Sequence, residues 1–302
     1  MRISALASSV VFFGLVAAAH ASPPLTPKVW GGEPSKTCNF PATVALAGWS
    51  GFKCSGTLVH PQVVVYAAHC GSDISAIMFG ENADSPTKRI VPDRCKVYPR
   101  HRVTDGTDWA YCVLPEPVTD VPVTPILMGC ERGVLQEGKE VYLVGFGEDD
   151  DGNYGAKRQA VAVQHQIEDN KAWIGGDGKD ECFGDSGSSA YVQLSADPEA
   201  DYQGDDTWRV YSITSYTPRD VGAACGRGTF HSLIPSAVPW IEKDSGLDVT
   251  PCHDADGTWN PGPTCYGFPR EPAVQSGAWE TSCQVGATGG ASRTCGASYF
   301  ER

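Results

Sequence analysis

Asp180-Glu181-Cys182-Phe183-Gly184-Asp185-Ser186-Gly187-Ser188 is the stretch on which the reading of this chain turns. Taken alone, Gly184-Asp185-Ser186-Gly187 is what an ordinary loop turn contains, because all four residues favour turns. Two upstream segments change its weight: Ala67-Ala68-His69-Cys70 and Thr107-Asp108-Trp109-Ala110-Tyr111-Cys112-Val113-Leu114. A serine hydroxyl is a poor nucleophile at its free pKa and needs an adjacent base. A histidine can take that proton, and an aspartate can hold the imidazole in one tautomer and stabilise its charged form. The order His, Asp, Ser along the chain separates this set from other folds that use the same three residue types.

Together the three segments resemble the His, Asp and Ser motifs of chymotrypsin- and trypsin-like serine proteases, over Val29 to about Ser245. The resemblance implies an all-β fold of two six-stranded antiparallel β-barrels with the active site in the cleft between them, closed by a C-terminal helix. It implies that His69, Asp108 and Ser186 are catalytic and that the backbone N–H groups of Gly184 and Ser186 form the oxyanion hole. Asp180, six residues before Ser186, falls at the floor of the primary specificity pocket, where an acid pairs with a substrate Arg or Lys. Ser215, Tyr216 and Thr217 match the strand that pairs with the substrate backbone, and Gly228 matches the glycine that keeps the far pocket wall open. Two positions depart from the pattern. Thr217 replaces a glycine at the pocket mouth, and Glu181 replaces a small residue beside the floor, where it adds negative charge or fills space. A pocket blocked by these two would take small residues instead.

Lys28-Val29-Trp30-Gly31-Gly32 resembles the activation site of the same family. Cleavage after Lys28 frees the Val29 amine, which then pairs with Asp185, a partner that a buried carboxylate requires. Trp30 stands where a small aliphatic residue is usual. Cys54–Cys70 and Cys182–Cys225 match family bridges. Cys95 and Cys112 flank the Asp segment, Cys38 and Cys130 are left over as a pair, and Cys252, Cys265, Cys283 and Cys295 are expected to bridge among themselves in one of three connectivities.

The rest of the 302-residue chain fits an exported protein. Arg2, the apolar run Ala5 to Ala19 and Ala19-His20-Ala21 read as a signal peptide over residues 1–21. The run is too short to span a bilayer, which needs about 20 residues. Residues 22–28 form a short Pro-rich propeptide, 29–247 the protease-like domain, and 248–302 a small Cys-rich tail that is poor in aliphatic residues and needs staples. Trp259, Tyr266, Phe268 and Trp279 serve the tail either as a ligand platform or as its small core. Twelve cysteines without a C-x-x-C pair indicate disulfides rather than zinc. A net charge of -13 argues against nucleic acid or an anionic membrane as partner. Short apolar runs such as Ala42–Ala47, Val63–Ala68 and Glu140–Val144, broken by turn residues, predict β-structure. A helix is expected from near Ser236, because two prolines weaken the start of Leu233–Lys243.

No cofactor or metal is expected: the acidic run Glu148 to Asn153 lacks the ligand spacing of a calcium loop and reads as a solvated surface loop. The expected partners are protein or peptide substrates, an activating protease (or the chain itself) and protein inhibitors, outside the cell. The alternative from another class, a non-catalytic binding protein on the same scaffold, is argued against by the presence of all three catalytic residue types.

Overall fold

The computed structural model describes residues 29–217, 225–272, 279, 283 and 286–302. The expected signal peptide, propeptide and Lys28 lie outside these residues. The chain's regular structure is mostly antiparallel β in two units; one apolar cluster runs from the first unit into the second, and another lies within the second.

The first unit holds β2 (Thr43–Gly48), β3 (Gly51–His60), β4 (Val63–Tyr66), β5 (Ala76–Phe79), β6 (Lys88–Ile90), β7 (Arg94–Val97) and β8 (Ala110–Val113), in the order β6-β5-β2-β3-β4-β8-β7. Leu46, Leu58, Val64, Ile77 and Phe79 fill its interior. Among the described residues its edges, β6 and β7, do not pair, so the ladder stays open where a closed six-stranded barrel was expected. The link between them is Val91-Pro92-Asp93, and Pro92 has no N–H to give to a ladder.

The second unit closes. β9 (Glu140–Gly145), β10 (Arg158–Glu168), β11 (Lys171–Ile174), β14 (Thr229–Leu233), β13 (Trp208–Tyr216) and β12 (Ser189–Gln193) pair in a ring, because β9 bonds both β10 and β12. The short β1 (Glu33–Pro34) adds to β10 from outside. The helix, α1, spans Val238–Ser245 and follows a 3-10 turn at Ile234–Ser236. Pro239 lies in the first turn, where the missing N–H costs nothing, so the helix begins later than Ser236. Gly246, left-handed at φ 76°, ends it.

The tail corrects the expected cysteine pairing. Only Cys252–Cys265 lies within it; Cys283 bridges to Cys38 and Cys295 to Cys130, so Cys38 and Cys130 do not pair with each other. The reason is burial. With few aliphatic groups of its own, the tail satisfies its backbone on the body: Trp208 N donates to Pro269 O at 2.9 Å, Gln203 N to Thr294 O at 2.8 Å and Phe40 N to Pro272 O at 2.7 Å. Its deepest anchor is an ion pair. Arg209, 1% exposed, forks onto Glu131 at 3.0 and 2.8 Å, and Thr294 of the tail completes the carboxylate's shell at 2.7 Å. Of the tail aromatics, Phe268 is buried under Arg209 at 4.9 Å, and Trp279 donates to Glu81 at 2.8 Å.

Candidate active site

His69 sits in the 3-10 turn Ala68–Cys70 that follows β4, and Asp108 directly precedes β8, the neighbour of β4. That adjacency brings them together. Asp108 Oδ2 lies 2.7 Å from His69 Nδ1, and Oδ1 accepts the His69 backbone N–H at 2.9 Å. Ser215 Oγ, on β13 of the second unit, donates to the same Oδ2 at 2.6 Å. Asp108 is fully buried. Burial pushes its carboxyl up, but the bonds from His69 and Ser215 outweigh that and hold it below the usual carboxylate range. Asp108 is therefore a charged group aimed at one face of an imidazole whose side chain is 34% exposed to the cleft.

Ser186 comes from the turn before β12 and is pinned across the seam. Its carbonyl accepts Ser55 N at 2.9 Å, while Ser55 Oγ donates to Gly184 O at 3.1 Å. Gly187 presses so closely on the first unit that a Cβ would lie 2.4 Å from Ser55 O. Gly184 is left-handed at φ 91°, a conformation that L side chains rarely adopt. The N–H groups of Gly184 and Ser186 have no acceptor among the described residues. Two free N–H donors on the backbone of a serine turn are an arrangement that could stabilise an oxyanion.

Below Ser186 lies a pocket of about 210 Å³, lined by Glu181, the Cys182–Cys225 bridge, Thr214, Tyr216, Thr217 and Thr229 among others. Asp180, the chain neighbour of Glu181, is fully buried. Its carboxylate accepts Gly228 N at 2.8 Å, Glu181 N at 2.7 Å and the Thr229 hydroxyl. Burial raises its pKa above the usual range, and Glu181 adds to the rise. Glu181 carries partners of its own: the hydroxyls of Ser188 and Thr214 donate to it, and His231 Nε2 lies 3.0 Å away. Its side chain is thus tied back into the protein rather than projected across the pocket.

Asp185 completes a cluster of three buried acids. It accepts Gly147 N at 2.8 Å and Cys182 N at 3.0 Å and has no cation beside it among the described residues. Burial and the Glu181 charge push its pKa up to about 8. Val29 is fully buried; Trp30 O accepts Asp180 N at 3.1 Å, and the Trp30 indole rests against Gly226.

Sequence reasoning missed His231, Ser188 and Thr214 as the partners of Glu181, and Ser55 as the clamp on the nucleophile's turn. No motif marks them; a buried acid at Glu181 is the one signal that partners must exist. The acidic loop also reads differently in three dimensions. Asp149 is fully buried, bonded by Asn153 N at 2.8 Å and paired with Arg158, so it is neither solvated nor free for a cation. Cys54, His69 and Cys70 form the one group of clustered metal-ligand types among the described residues, and the two cysteines are spent in a disulfide.

Comparison with known proteins agrees in kind. The model of the trypsin family matches residues 29–241. A CLIP domain-containing serine protease B4 of Anopheles gambiae is 23% identical over 267 residues, covering 73% of this chain and 71% of that protein. A glandular kallikrein of Sus scrofa is 29% identical over 105 residues, which is 30% of this chain and 42% of the kallikrein. Kallikrein-1E2 of Equus caballus is 40% identical over 62 residues, 20% of this chain and 24% of that protein.

Proposed function

The chain belongs to the trypsin family, and on that premise we propose that it is a secreted serine endopeptidase, made as an inactive precursor, that cleaves on the carboxyl side of Arg and Lys. The observation that carries the reading is the unbroken chain from Ser215 through Asp108 to His69, set in the same cleft as a serine held by Ser55. Ser186 Oγ attacks the peptide carbonyl and His69 takes its proton. The carbonyl oxygen becomes an anion and rests on the N–H groups of Gly184 and Ser186. Collapse breaks the C–N bond, and the imidazolium gives its proton to the leaving amine. Water, deprotonated by the same imidazole, then frees the acid and restores Ser186.

Charge arithmetic supports both the specificity and the activation. Asp180, Glu181 and Asp185 are buried together, and His231 is the one basic side chain within ion-pair distance of them among the described residues. Two cations have to come from outside. A substrate Arg or Lys above Asp180 supplies one. The Val29 α-amine, released by cleavage after Lys28, supplies the other at Asp185. Six disulfides and the leader support an oxidising, extracellular destination.

A second specificity is favoured by the bonds that already cap Asp180 and by Thr217 at the pocket mouth: a site that accepts small uncharged residues. Activation is tested by cutting the purified precursor after Lys28 and comparing it with Lys28→Gln given the same treatment. Peptidase activity should appear in the first and stay at the background in the second. Equal activity in both would remove the precursor from the account.

A further inference from the structure

In a chain of net charge -13, one short stretch runs the other way. Between residues 88 and 102 stand Lys88, Arg89, Arg94, Lys96, Arg100 and Arg102, against a single acid, Asp93. Three of these cations are partly answered: Lys88 by Asp120, Arg94 by Asp93 at 3.1 Å, and Arg102 by Asp105 at 3.9 Å. Arg89, Lys96 and Arg100 are exposed, with no carboxylate in ion-pair range among the described residues. The far end of the stretch is concave. Tyr98, Pro99, Arg100, His101, Arg102 and Thr107 line a basin of about 590 Å³, with Asp105 at its edge.

The basin adjoins the cleft and is firmly held. Tyr98 N donates to Trp109 O at 2.9 Å, and the Tyr98 ring packs 5.2 Å from Trp109 and from Trp240. Thr107 Oγ1 accepts Arg102 N at 2.9 Å, which fixes the turn one residue before Asp108. On the other side the Asp105 charge reaches Tyr216, where it adds to the effect of burial in raising the phenol. Tyr216 lines the pocket beneath Ser186. Thr107, which lines the basin, is next in the chain to Asp108 and links the basin to the cleft.

We propose that this basin is a docking site for an acidic stretch of a protein substrate, seated beside the scissile bond. The proposal rests on the endopeptidase reading above. A peptide fits better than a polyanionic polysaccharide because the basin mixes charge with the apolar faces of Tyr98 and Pro99 and carries an acid of its own, Asp105. Its backbone is already held by hydrogen bonds, so the ordering left for binding is that of the arginine side chains. The negative charge elsewhere repels an acidic segment, which favours its settling on a locally basic surface such as this one.

The test uses two peptides with the same cleavage residue, one flanked by Asp and Glu and one by Asn and Gln, cleaved by the cut full chain and by its Arg100→Gln/Arg102→Gln variant. Exposed charge pairs give modest gains singly, so the acid-flanked peptide should have a kcat/KM about tenfold above its neutral twin, mainly through KM. That ratio should shrink as salt rises from about 0.05 to about 0.3 M, and it should fall to about one in the double variant. A ratio near one in the wild type, or a ratio that survives the double substitution, overturns the proposal. So does binding of a sulfated polysaccharide at Arg100 and Arg102 without any peptide preference. If neither peptide is cut, the endopeptidase reading has failed. Docking is then read by fluorescence anisotropy of the acid-flanked peptide on Ser186→Ala protein, where binding no tighter than that of the neutral peptide sinks the proposal.

Discussion

Glu131 and Asp185 are both carboxylates sealed inside the protein, and they answer burial in opposite ways. Burial alone would raise Glu131, but Arg209, locked onto it in a two-pronged pair, outweighs the penalty and holds it below the usual range. Thr294 closes the shell. Asp185 has two backbone N–H donors but no cation, and its pKa rises to about 8 under burial and the Glu181 charge. One site is complete within the chain as it stands; the other is short of positive charge. The first fastens the tail to the body. The second lies beside Ser186, the proposed nucleophile, and is the proposed partner of the Val29 amine. A buried acid with its partner built in reads as architecture, and one without reads as a site that waits for something to arrive.

The largest effect should come from Asp108, whose partner His69 is the proposed catalytic base. Asp108→Asn keeps the shape but removes the charge that orients His69, and kcat should fall by about 10⁴, the loss measured for this change in the well-studied triad. A fall below tenfold would mean that His69 is not the base. Next is the structural site. Arg209→Met leaves Glu131 buried and alone, and urea titration should show a loss of about 3–5 kcal/mol of stability. Pairing it with Glu131→Leu should recover most of that loss, while the kcat of the folded fraction stays at the wild-type value throughout. If kcat falls with stability, the two sites are not separable in the way the comparison claims.

Asp185 carries the pH prediction. Its pKa in the uncut chain is raised from 3.8 to about 8, so the neutral form is favoured on folding. The stability from this group is fully present below about pH 4 and is lost as pH rises toward 8. Denaturation of the uncut chain across that window should show a decline of a few kcal/mol from this residue. Asp185→Asn should flatten it, and so should cutting after Lys28, which brings in the amine. A slope left intact by both would mean that Asp185 is not the group short of a cation. The smallest effect belongs to Glu181. Glu181→Gln removes a like charge from beside Asp185 but leaves burial in place, so the upper end of the same slope should move down by about one pH unit. No movement would show that burial alone sets the value.

How much of this was legible in the chain follows from how local each feature is. His69, Asp108 and Ser186 could be singled out as candidates because each sits in a short stretch of the residue types that the proposed chemistry needs. The runs Val63–Ala68 and Glu140–Val144 announced β4 and β9 by their apolar character alone. The tail's bridges were not readable. A disulfide joins residues that the whole fold brings together, and nothing near Cys130 or Cys295 in sequence marks a partner 165 residues away. Asp149 misled for the same reason: a run of acids looks solvated until Arg158 is found folded over one of them. Glu181 was visible as a departure, but the direction it faces depends on Ser188, Thr214 and His231, which come from three separate segments.

The most direct test of the account is hydrolysis of a peptide panel by protein cut after Lys28, beside a Ser186→Ala control, with only the residue on the acyl side of the scissile bond varied. Cleavage after Arg and Lys that disappears in the control is the predicted result, since it needs both the nucleophile and the charge of Asp180. No cleavage of any member, with Val29 confirmed as the new N-terminus, would contradict the account.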